Sequence, residues 1–365
     1  MSAIADRLRQ PRLVTDYGDD LKLMGTPVKR LGMLVLTLVY VGAPLYLTDF
    51  PLSVLDVAGI FVIGTIGLNL LTGYTGQVSL GHAFFMAIGA YVWAHFGGEQ
   101  GMSILVWLPL AAVIGGVVGG IVGPFALRLR GNYLAIVSLG LVFIGIHIWK
   151  NFESVTGGGI GFTGEDRSAY LGPLDFEHLK LGAHAYTVDQ SYFWLIWSVV
   201  ALAALLAKNI VRSRPGRAMQ AIRDRDVAAA IVGVNLARYK VGAFVLSSAL
   251  AAVAGALYGS YFNFVNPEYW NLFLSVQFIA MVIVGGVGTI FGSILGGLFV
   301  GSVPSLISNY GDSIPLIDRL GVSVPEFNAI LFGIVIILFL VLEPHGLAGI
   351  WFRIKAYFRA WPFSY

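Results

Sequence analysis

Between two apolar runs the chain reads Gly67-Leu-Asn-Leu-Leu-Thr-Gly-Tyr-Thr-Gly-Gln-Val-Ser-Leu-Gly-His82. Glycines, hydroxyl groups, amides and an imidazole interrupt the apolar pattern. Such a mixture is not typical of a lipid-facing helix. Irregular backbone inside a bilayer is stable only where protein or a water-filled cavity satisfies its N–H and C=O groups. Glycine-interrupted apolar segments therefore indicate a transport site. The alternative interpretation is that Gly73 and Gly76 form a simple tight turn between two spans.

We expect this segment to line or brace a translocation path, because neutral donors and helix-end dipoles can meet a zwitterion without a fixed charge. The neutral hydrogen bonds would come from Asn69, Thr75, Gln77 and Ser79. The candidate substrate-pathway residues are Asn69, Gly73, Tyr74, Thr75, Gly76, Gln77, Ser79, Gly81 and His82.

The composition indicates a membrane protein. Of the 365 residues, 57% are hydrophobic and only 12% are charged, and the mean hydropathy is +0.79. Soluble domains carry about 25% charged residues. The net charge of +3 is too small to indicate a nucleic-acid partner. The chain has no cysteine, which excludes disulfides, zinc–thiolate sites and iron–sulfur clusters.

The apolar runs predict an all-α polytopic membrane protein with about ten transmembrane helices, some of them short or broken. A span needs about 20 mostly apolar residues. The candidate spans are 31–48, 54–72, 77–96, 104–126, 132–149, 191–209, 240–258, 272–288, 290–308 and 326–342.

Basic residues predict the orientation of these spans, because they favour the cytoplasmic side. They cluster before residue 31, at Arg128 and Arg130, in the 210–239 loop and after residue 350. With ten spans and a cytoplasmic N-terminus, all four clusters lie in the cytoplasm. The predicted regions are a cytoplasmic tail 1–30, a transmembrane permease domain 31–342 with an outer loop 150–190 and a cytoplasmic loop 210–239, and a cytoplasmic tail 343–365.

Several function classes are disfavoured by what the sequence lacks. No P-loop motif occurs, so the chain does not hold nucleotide phosphates in that way. The span interiors carry no acidic or basic residue, since Asp56 and Lys240 lie near predicted ends, and this argues against a proton relay. No catalytic set is apparent, and a lone histidine such as His82 is more often structural than a ligand. We therefore predict a transport subunit, not an enzyme, with its energy supplied by another polypeptide.

Glycines at four-residue spacing predict close helix packing. They occur as Gly115, Gly119 and Gly123, as Gly116 and Gly120, and later as Gly292 with Gly296 and Gly297 with Gly301. Such ridges let helix backbones approach in lipid. We expect them to pack the bundle internally, and a subunit interface is the alternative.

The loop that begins at Arg212 predicts a helix over 217–232 after Pro215 and Gly216. One side of that helix would be apolar, formed by Met219, Ile222, Ala229 and Ala230. Gly233 suits its C-terminus. Such a helix could lie on anionic lipid or seat in a groove of a partner protein.

Four segments, in order, resemble the LivM-type permeases of branched-chain amino acid ABC importers. They are Gly67–His82; Leu127-Arg-Leu-Arg-Gly-Asn-Tyr-Leu-Ala-Ile-Val137 with Asn151 and Thr156-Gly-Gly-Gly-Ile-Gly161; the 214–233 loop; and Glu343-Pro-His-Gly-Leu-Ala-Gly-Ile-Trp351. Together they cover about residues 55 to 355.

The resemblance implies a bacterial cytoplasmic (inner) membrane protein that pairs with a second, LivH-like permease. It also implies two cytoplasmic ATPase subunits and an external substrate-binding protein. No cofactor is expected in this chain, because ATP and magnesium would bind the ATPase subunits. We expect the outer loop to meet the binding protein or to cap the outer mouth, and for 165–188 a disordered connector is the alternative. The outer-loop candidates are Asn151, Thr156, Gly157, Gly158 and Gly159.

The resemblance further implies that the 214–233 loop is the cytoplasmic coupling helix, with Met219 and Ile222 as apolar anchors in an ATPase groove. Importer permeases often carry Glu-Ala-Ala-x-x-x-Gly there, whereas Val227 stands at the acidic position of this chain. The candidate ATPase-coupling residues are Gly216, Met219, Ile222, Arg223, Arg225, Asp226, Ala229 and Gly233.

Three other functions remain open from the sequence. Importers of urea or short amides use closely related permeases, so the substrate is the least certain expectation. A stand-alone secondary carrier or channel is disfavoured by the missing intramembrane charges. A membrane enzyme or scaffold is disfavoured because no catalytic set is apparent.

Overall fold

A computed structural model of the chain describes residues 27–127, 133–172, 174–181, 184–310 and 323–360. The predictions for residues 1–26 of the N-terminal tail and for Arg128 and Arg130 lie outside the described residues.

Helices make up about four fifths of the described chain. They are α1 (Pro27–Tyr46), α2 (Asp49–Thr75), α3 (His82–Val92), a π-helix (Trp93–Glu99), α4 (Ile104–Leu127), α5 (Tyr133–Asn151), α6 (Glu153–Thr156), α7 (Val188–Arg212), α8 (Arg214–Asp224), α9 (Asp226–Ile231), α10 (Leu236–Phe262), α11 (Leu272–Gly285), α12 (Ile290–Tyr310), α13 (Val324–Leu342) and α14 (Gly346–Ala360). Two short 3₁₀ helices cover Gly158–Ile160 and Pro267–Tyr269.

In the part of the chain that the structure describes, six two-residue strands form three small antiparallel ribbons. They are β1 (Phe162–Thr163), β2 (Tyr170–Leu171), β3 (Leu174–Asp175), β4 (Lys180–Leu181), β5 (His184–Ala185) and β6 (Phe264–Val265). Strand β1 pairs with β6, β2 with β3, and β4 with β5. The β1–β6 ribbon joins the long loop after α5 to the turn after α10.

Every predicted apolar segment overlaps a helix, so the all-α expectation is confirmed. Within the described residues, six helices are long and apolar enough to cross a membrane: α2, α4, α5, α7, α10 and α12. Shorter apolar helices cover Arg30–Tyr46, Leu272–Gly285 and Ala329–Phe339. The chain is therefore a multi-pass helical membrane protein.

Helix α2 is the centre of the bundle. Of its apolar window, 94% is buried, and it is packed by α7, α10, α11 and α12. A helix that is hydrophobic all round belongs in such a position. Gly67 lets α10 approach, because a Cβ there would lie 2.9 Å from Leu250 Cβ and 3.0 Å from the Ser247 carbonyl oxygen.

The glycine ridges pack inside the bundle, as predicted. On α4, Gly115 faces Ala252 and Ser248, and Gly119 faces Ser248. On α12, a Cβ at Gly297 would lie 2.7 Å from the side chain of Val62. Helices α4 and α12 thus reach α10 and α2 at backbone distance, and the packing gains van der Waals contact that lipid does not offer.

The bundle has two chemically different ends. At the loop end, formed by residues 150–187, Thr187 Oγ1 donates to Asp49 Oδ1 over 3.0 Å, and the Gly164 N–H donates to the Asn263 carbonyl. At the arginine end, formed by residues 213–235, helix α8 packs against α2. Helix α2 runs from the loop end to the arginine end.

Candidate functional site

The segment after α2 turns back into the bundle. Helix α2 ends at Thr75, and Gly76 adopts a left-handed conformation with φ 71°. Residues 77–81 are non-helical, and α3 begins at His82. The His82 Nε2 atom lies 3.3 Å from where a Cβ of Gly64 would stand. Gly64 is about 16 Å back along α2 at 1.5 Å per residue, so the chain re-enters the bundle to its middle. We call residues 76–81 the re-entrant segment.

Protein groups satisfy the backbone of the re-entrant segment. The Leu80 N–H donates to Ser138 Oγ over 2.8 Å, and the Ala83 N–H at the start of α3 donates to Ser275 Oγ over 3.1 Å. Thr72 Oγ1 donates to the Gln77 carbonyl over 3.0 Å. Irregular backbone at membrane depth requires such partners. The serines on α5 and α11 therefore hold the segment in place.

Asn69 fastens α2 to the turn that precedes α12. Its Nδ2 donates to the Thr289 carbonyl over 2.8 Å and to Ser293 Oγ over 2.6 Å. Its Oδ1 accepts from the Gly288 N–H over 2.9 Å. All three bonds are made within the chain, and the side chain is buried. In this structure Asn69 braces α2 against the turn before α12 and does not offer its amide to a solute.

The other predicted polar groups are used in the same way. Thr75 Oγ1 donates to the Leu71 carbonyl over 2.6 Å, and Gln77 Nε2 donates to Thr75 Oγ1 and to the Lys240 carbonyl. Ser79 Oγ accepts from the Gly81 N–H over 3.3 Å. Of the two roles predicted for this segment, lining and bracing, these contacts favour bracing.

Gly73 lies where two backbones nearly touch. A Cβ there would stand 2.5 Å from the Gly288 backbone nitrogen and would overlap Asn69 Oδ1. Tyr74, its neighbour, is buried in the core. No side chain larger than hydrogen fits at Gly73, so the turn before α12 depends on it.

His82 occupies the start of α3. Its ring is buried and lies 4.7 Å, centroid to centroid, from Phe278 of α11. Phe278 in turn meets Phe61 of α2 edge-on at 5.5 Å. The three rings form an aromatic layer across the middle of the bundle.

Asp56 differs from the sequence expectation. We placed it near a span end, but α2 begins five residues earlier than predicted, and Asp56 is 0% exposed. Neither of its carboxylate oxygens has a hydrogen-bond partner among the described residues. The predicted lack of acidic residues in the span interiors is therefore wrong at this position.

The predicted single helix over 217–232 is in fact two helices. Helix α8 ends at Asp224, Arg225 is extended with φ −157° and ψ 102°, and α9 begins at Asp226. Gly233 follows α9 with φ 90°, as its predicted terminal role requires. At the start of α8, Gly216 lies against the Ile210 and Val211 carbonyls, where a Cβ would clash.

The expected apolar anchors face inward. Met219 and Ile222 are only 3% and 4% exposed, and Ala229 is also buried, whereas Ala230 is exposed. Met219 belongs to the hydrophobic core of the bundle. The prediction that Met219 and Ile222 insert into a partner is contradicted, because the chain itself covers them.

Three other apolar side chains point outward at the arginine end. Val227, Ile231 and Val232 are 69%, 82% and 78% exposed. We call them the valine–isoleucine patch. Asp226 beside the patch forms an ion pair with Lys240, with 3.6 Å between Oδ2 and Nζ. Sequence reasoning missed the patch because it treated α8 and α9 as one amphipathic helix.

Arg223 joins α8 to the two glycine turns. Its backbone and side chain lie 3.7 Å and 3.8 Å from where a Cβ of Gly76 would stand. Its guanidinium also lies against Gly288. The arginine therefore contacts the re-entrant segment and the turn before α12 from the arginine end.

The loop end is a folded structure. Trp93 Nε1 donates to the Arg167 carbonyl and Trp107 Nε1 to the Ser168 carbonyl, each over 3.0 Å. Burial raises the pKa of the Glu177 carboxyl, and the hydrogen bond between that carboxyl and Asp166 lowers the pKa of Asp166. The disordered-connector alternative does not apply to the described part of 165–188.

The predicted glycine run takes a defined path. Thr156 Oγ1 donates to the Trp149 carbonyl over 2.6 Å, and Asn151 Nδ2 donates to the His147 carbonyl over 2.7 Å. Gly157 and Gly158 have φ of 71° and 62°, which favours glycine. Gly159 is exposed with no atom near its Cβ position, so the run presents bare backbone at the loop end.

A cavity of about 610 Å³ opens among α2, α3, α10, α11 and α12 in the half of the bundle nearer the loop end. Several aromatic rings line it, and Gln277, Ser305 and Asn309 add polar groups. Sequence reasoning missed it. The signal was Asn266-Pro-Glu-Tyr-Trp-Asn271, a polar and aromatic turn between two apolar runs, whose last four residues line the cavity.

Comparison with known proteins assigns the family. Residues 50–340 match the family described as branched-chain amino acid transport system / permease component. The chain is 28% identical over 337 residues to the high-affinity branched-chain amino acid transport permease LivM of Salmonella typhimurium, which covers 88% of this chain and 76% of the relative. No solved structure matches the chain.

Relatives named LivH match as well. The LivH permease of Escherichia coli is 27% identical over 299 residues, covering 79% of this chain and 91% of the relative. A probable LivM of Methanocaldococcus jannaschii is 23% identical over 323 residues, covering 79% and 90%. The resemblance to LivM-type permeases is confirmed, and the chain belongs to the family of permease components of branched-chain amino acid transport systems.

Proposed function

We propose that this chain is one of two unlike permease subunits of an ATP-driven importer of branched-chain amino acids. The observation that carries the proposal is the family match over residues 50–340, with LivM and LivH relatives both aligned along most of their length. A LivH-like subunit supplies the other half of the pathway. An external binding protein delivers the amino acid, and two ATPase subunits, which bind ATP and magnesium, drive the cycle.

The proposal includes ten spans in a bacterial cytoplasmic membrane. The arginine end is cytoplasmic, since basic residues favour that side, and both termini lie there. The loop end then faces outward and receives the binding protein on residues 150–190. This arrangement is supported by the contacts at the two ends, because the acidic loop 150–187 and the basic segment 213–235 lie at opposite ends of α2.

Coupling to an ATPase is assigned to α8 and α9 together. The valine–isoleucine patch seats in a groove of the ATPase, and Arg225 contributes rim contacts worth under about 1 kcal/mol each. Desolvated apolar anchors concentrate most interface energy. Arg223 passes the movement of α8 to Gly76 and Gly288, which it contacts.

The test is reconstituted uptake. The chain is co-expressed with its LivH-like permease, ATPases and binding protein, and uptake of radiolabelled leucine is followed in proteoliposomes with ATP inside or absent. We expect co-isolation of all four membrane-associated subunits and ATP-dependent leucine uptake. Uptake of urea or acetamide without leucine would contradict the proposed substrate, and uptake by this chain without ATPases would contradict the importer.

A further inference from the structure

We propose that the cavity at the loop end is a binding site for a free amino acid with an apolar side chain, built within this single subunit. The inference rests on the proposed function and adds to it a site at which the transported amino acid binds. The volume of about 610 Å³ falls within the range of about 300–1,000 Å³ found for small-molecule sites.

The cavity has an apolar wall suited to a branched side chain. Tyr258 of α10 is the centre of this wall, with ring centroids 4.5 Å from Phe262 and 5.6 Å from Trp270. Phe61 and Met86 also line it. Phe61 also belongs to the aromatic layer that it forms with Phe278 and His82, and His82 directly follows the re-entrant segment. This layer therefore lies between the cavity and the re-entrant segment.

Polar groups also line the cavity. Gln277 is only 9% exposed and lines the cavity. Trp270 also lines the cavity, and its Nε1 is buried with no hydrogen-bond partner among the described residues, although buried polar groups are normally paired. An unpaired indole N–H and an amide among the lining residues fit a ligand that carries hydrogen-bonding groups.

One acidic residue lines the cavity and can attract an ammonium group. It is Glu268, whose exposed carboxylate also accepts from Lys150 Nζ over 3.0 Å. Aromatic faces also attract cations. Gln277 can donate to the carboxylate. The ligand class is therefore an α-amino acid whose side chain packs on the rings around Tyr258.

Cysteine protection tests the site directly, because the chain has no cysteine of its own. Ser305→Cys places one thiol at the cavity lining, and Gln100→Cys places one at the exposed loop end outside it. The full chain in lipid nanodiscs is labelled with a small thiol-reactive reagent. Saturating leucine should slow labelling of Ser305→Cys about tenfold, since about nine-tenths of the sites are then occupied, and should leave Gln100→Cys unchanged.

The chemistry of recognition is tested by a second substitution and by a ligand fragment. Gln277→Leu in the Ser305→Cys background should raise the leucine concentration for half-protection about ten- to a hundredfold. Gln100→Leu in the same background should not change it. Isoamylamine, which lacks the carboxylate, should protect only at much higher concentration than leucine.

Two results would overturn the inference. One is unprotected Ser305→Cys in a chain whose assembled transporter still imports leucine, which leaves the proposed function intact. The other is protection by urea or acetamide and not by leucine, which would assign the cavity to a different ligand class. Failure of leucine uptake by the assembled wild-type transporter would instead contradict the proposed function itself.

Discussion

The re-entrant segment and the valine–isoleucine patch break the usual distribution of side chains in opposite ways. The first brings polar groups into an apolar interior, and the second leaves apolar groups at an aqueous end. Gln77 of the re-entrant segment donates to Thr75 Oγ1 and to the Lys240 carbonyl within the chain. Ile231 is 82% exposed among the residues that the structure describes. The difference teaches that the buried polar groups here hold the fold, whereas the exposed apolar groups are available to a partner.

The largest effect is expected at Gly73. Gly73→Leu places a side chain on the Gly288 nitrogen and Asn69, and overpacking with backbone displacement costs about 1–3 kcal/mol or more. We expect loss of folded, monodisperse chain in detergent size-exclusion chromatography. Gly140→Leu is the control, because nothing lies within 4 Å of its Cβ position. A monodisperse Gly73→Leu chain would show that this turn is not fixed by close approach.

Removal of the Asn69 amide should have the next largest effect. Asn69→Leu deletes three hydrogen bonds and leaves the Gly288 N–H buried without its acceptor. The expected loss is about 1–3 kcal/mol in unfolding free energy, the cost of a buried donor left without a partner. Thermal unfolding in nanodiscs checks it, with Asn151→Leu at the exposed loop end as the control. An unchanged midpoint would mean that Asn69 does not brace α2.

Substitution of Gly76 distinguishes the effect of backbone strain from the effect of contact with Arg223. Gly76→Leu forces a left-handed conformation that costs about 1–2 kcal/mol and places its side chain beside Arg223. We expect normal assembly and loss of leucine uptake. Gly101→Leu carries the same strain at φ 61° with nothing within 4 Å, and its uptake should persist. Equal uptake by the two variants would show that Gly76 has no role in coupling.

The smallest effect belongs to the ion pair between Asp226 and Lys240. Both groups are accessible enough to water for screening, so Asp226→Ala should cost under about 1 kcal/mol. We expect unchanged thermal unfolding within a degree or two and unchanged co-isolation of the ATPases. Dissociation of an ATPase from this variant would show that the carboxylate itself meets the partner.

Local sequence patterns were enough to predict the helices and their internal packing. Each of the ten apolar runs overlaps a helix, and four-residue glycine spacing correctly predicted close packing inside the bundle. Gly233 was recognised as a helix terminus. These features depend on neighbours in sequence or on one repeated contact, so the sequence carries them directly.

Contacts between distant segments could not be predicted in this way. The spacing of Met219 and Ile222 indicates an apolar side of the helix. It does not indicate whether the chain's own bundle or a partner protein covers that side. The break at Arg225 reorients α9 and exposes Ile231. The cavity likewise combines residues from five separated helices, and in the sequence only the turn at 266–271 indicated it.

The central claim is that α9 presents the surface through which this permease meets an ATPase. Co-isolation of tagged Ile231→Asp with the ATPase subunits from nanodiscs tests it most directly, because this side chain is 82% exposed and can be charged without entering the core. Ile222→Asp is the contrasting variant and should lose folded chain. We predict that Ile231→Asp keeps the wild-type thermal midpoint and binds the ATPases about ten- to a hundredfold more weakly. Wild-type co-isolation together with full ATP-driven leucine uptake would contradict the claim.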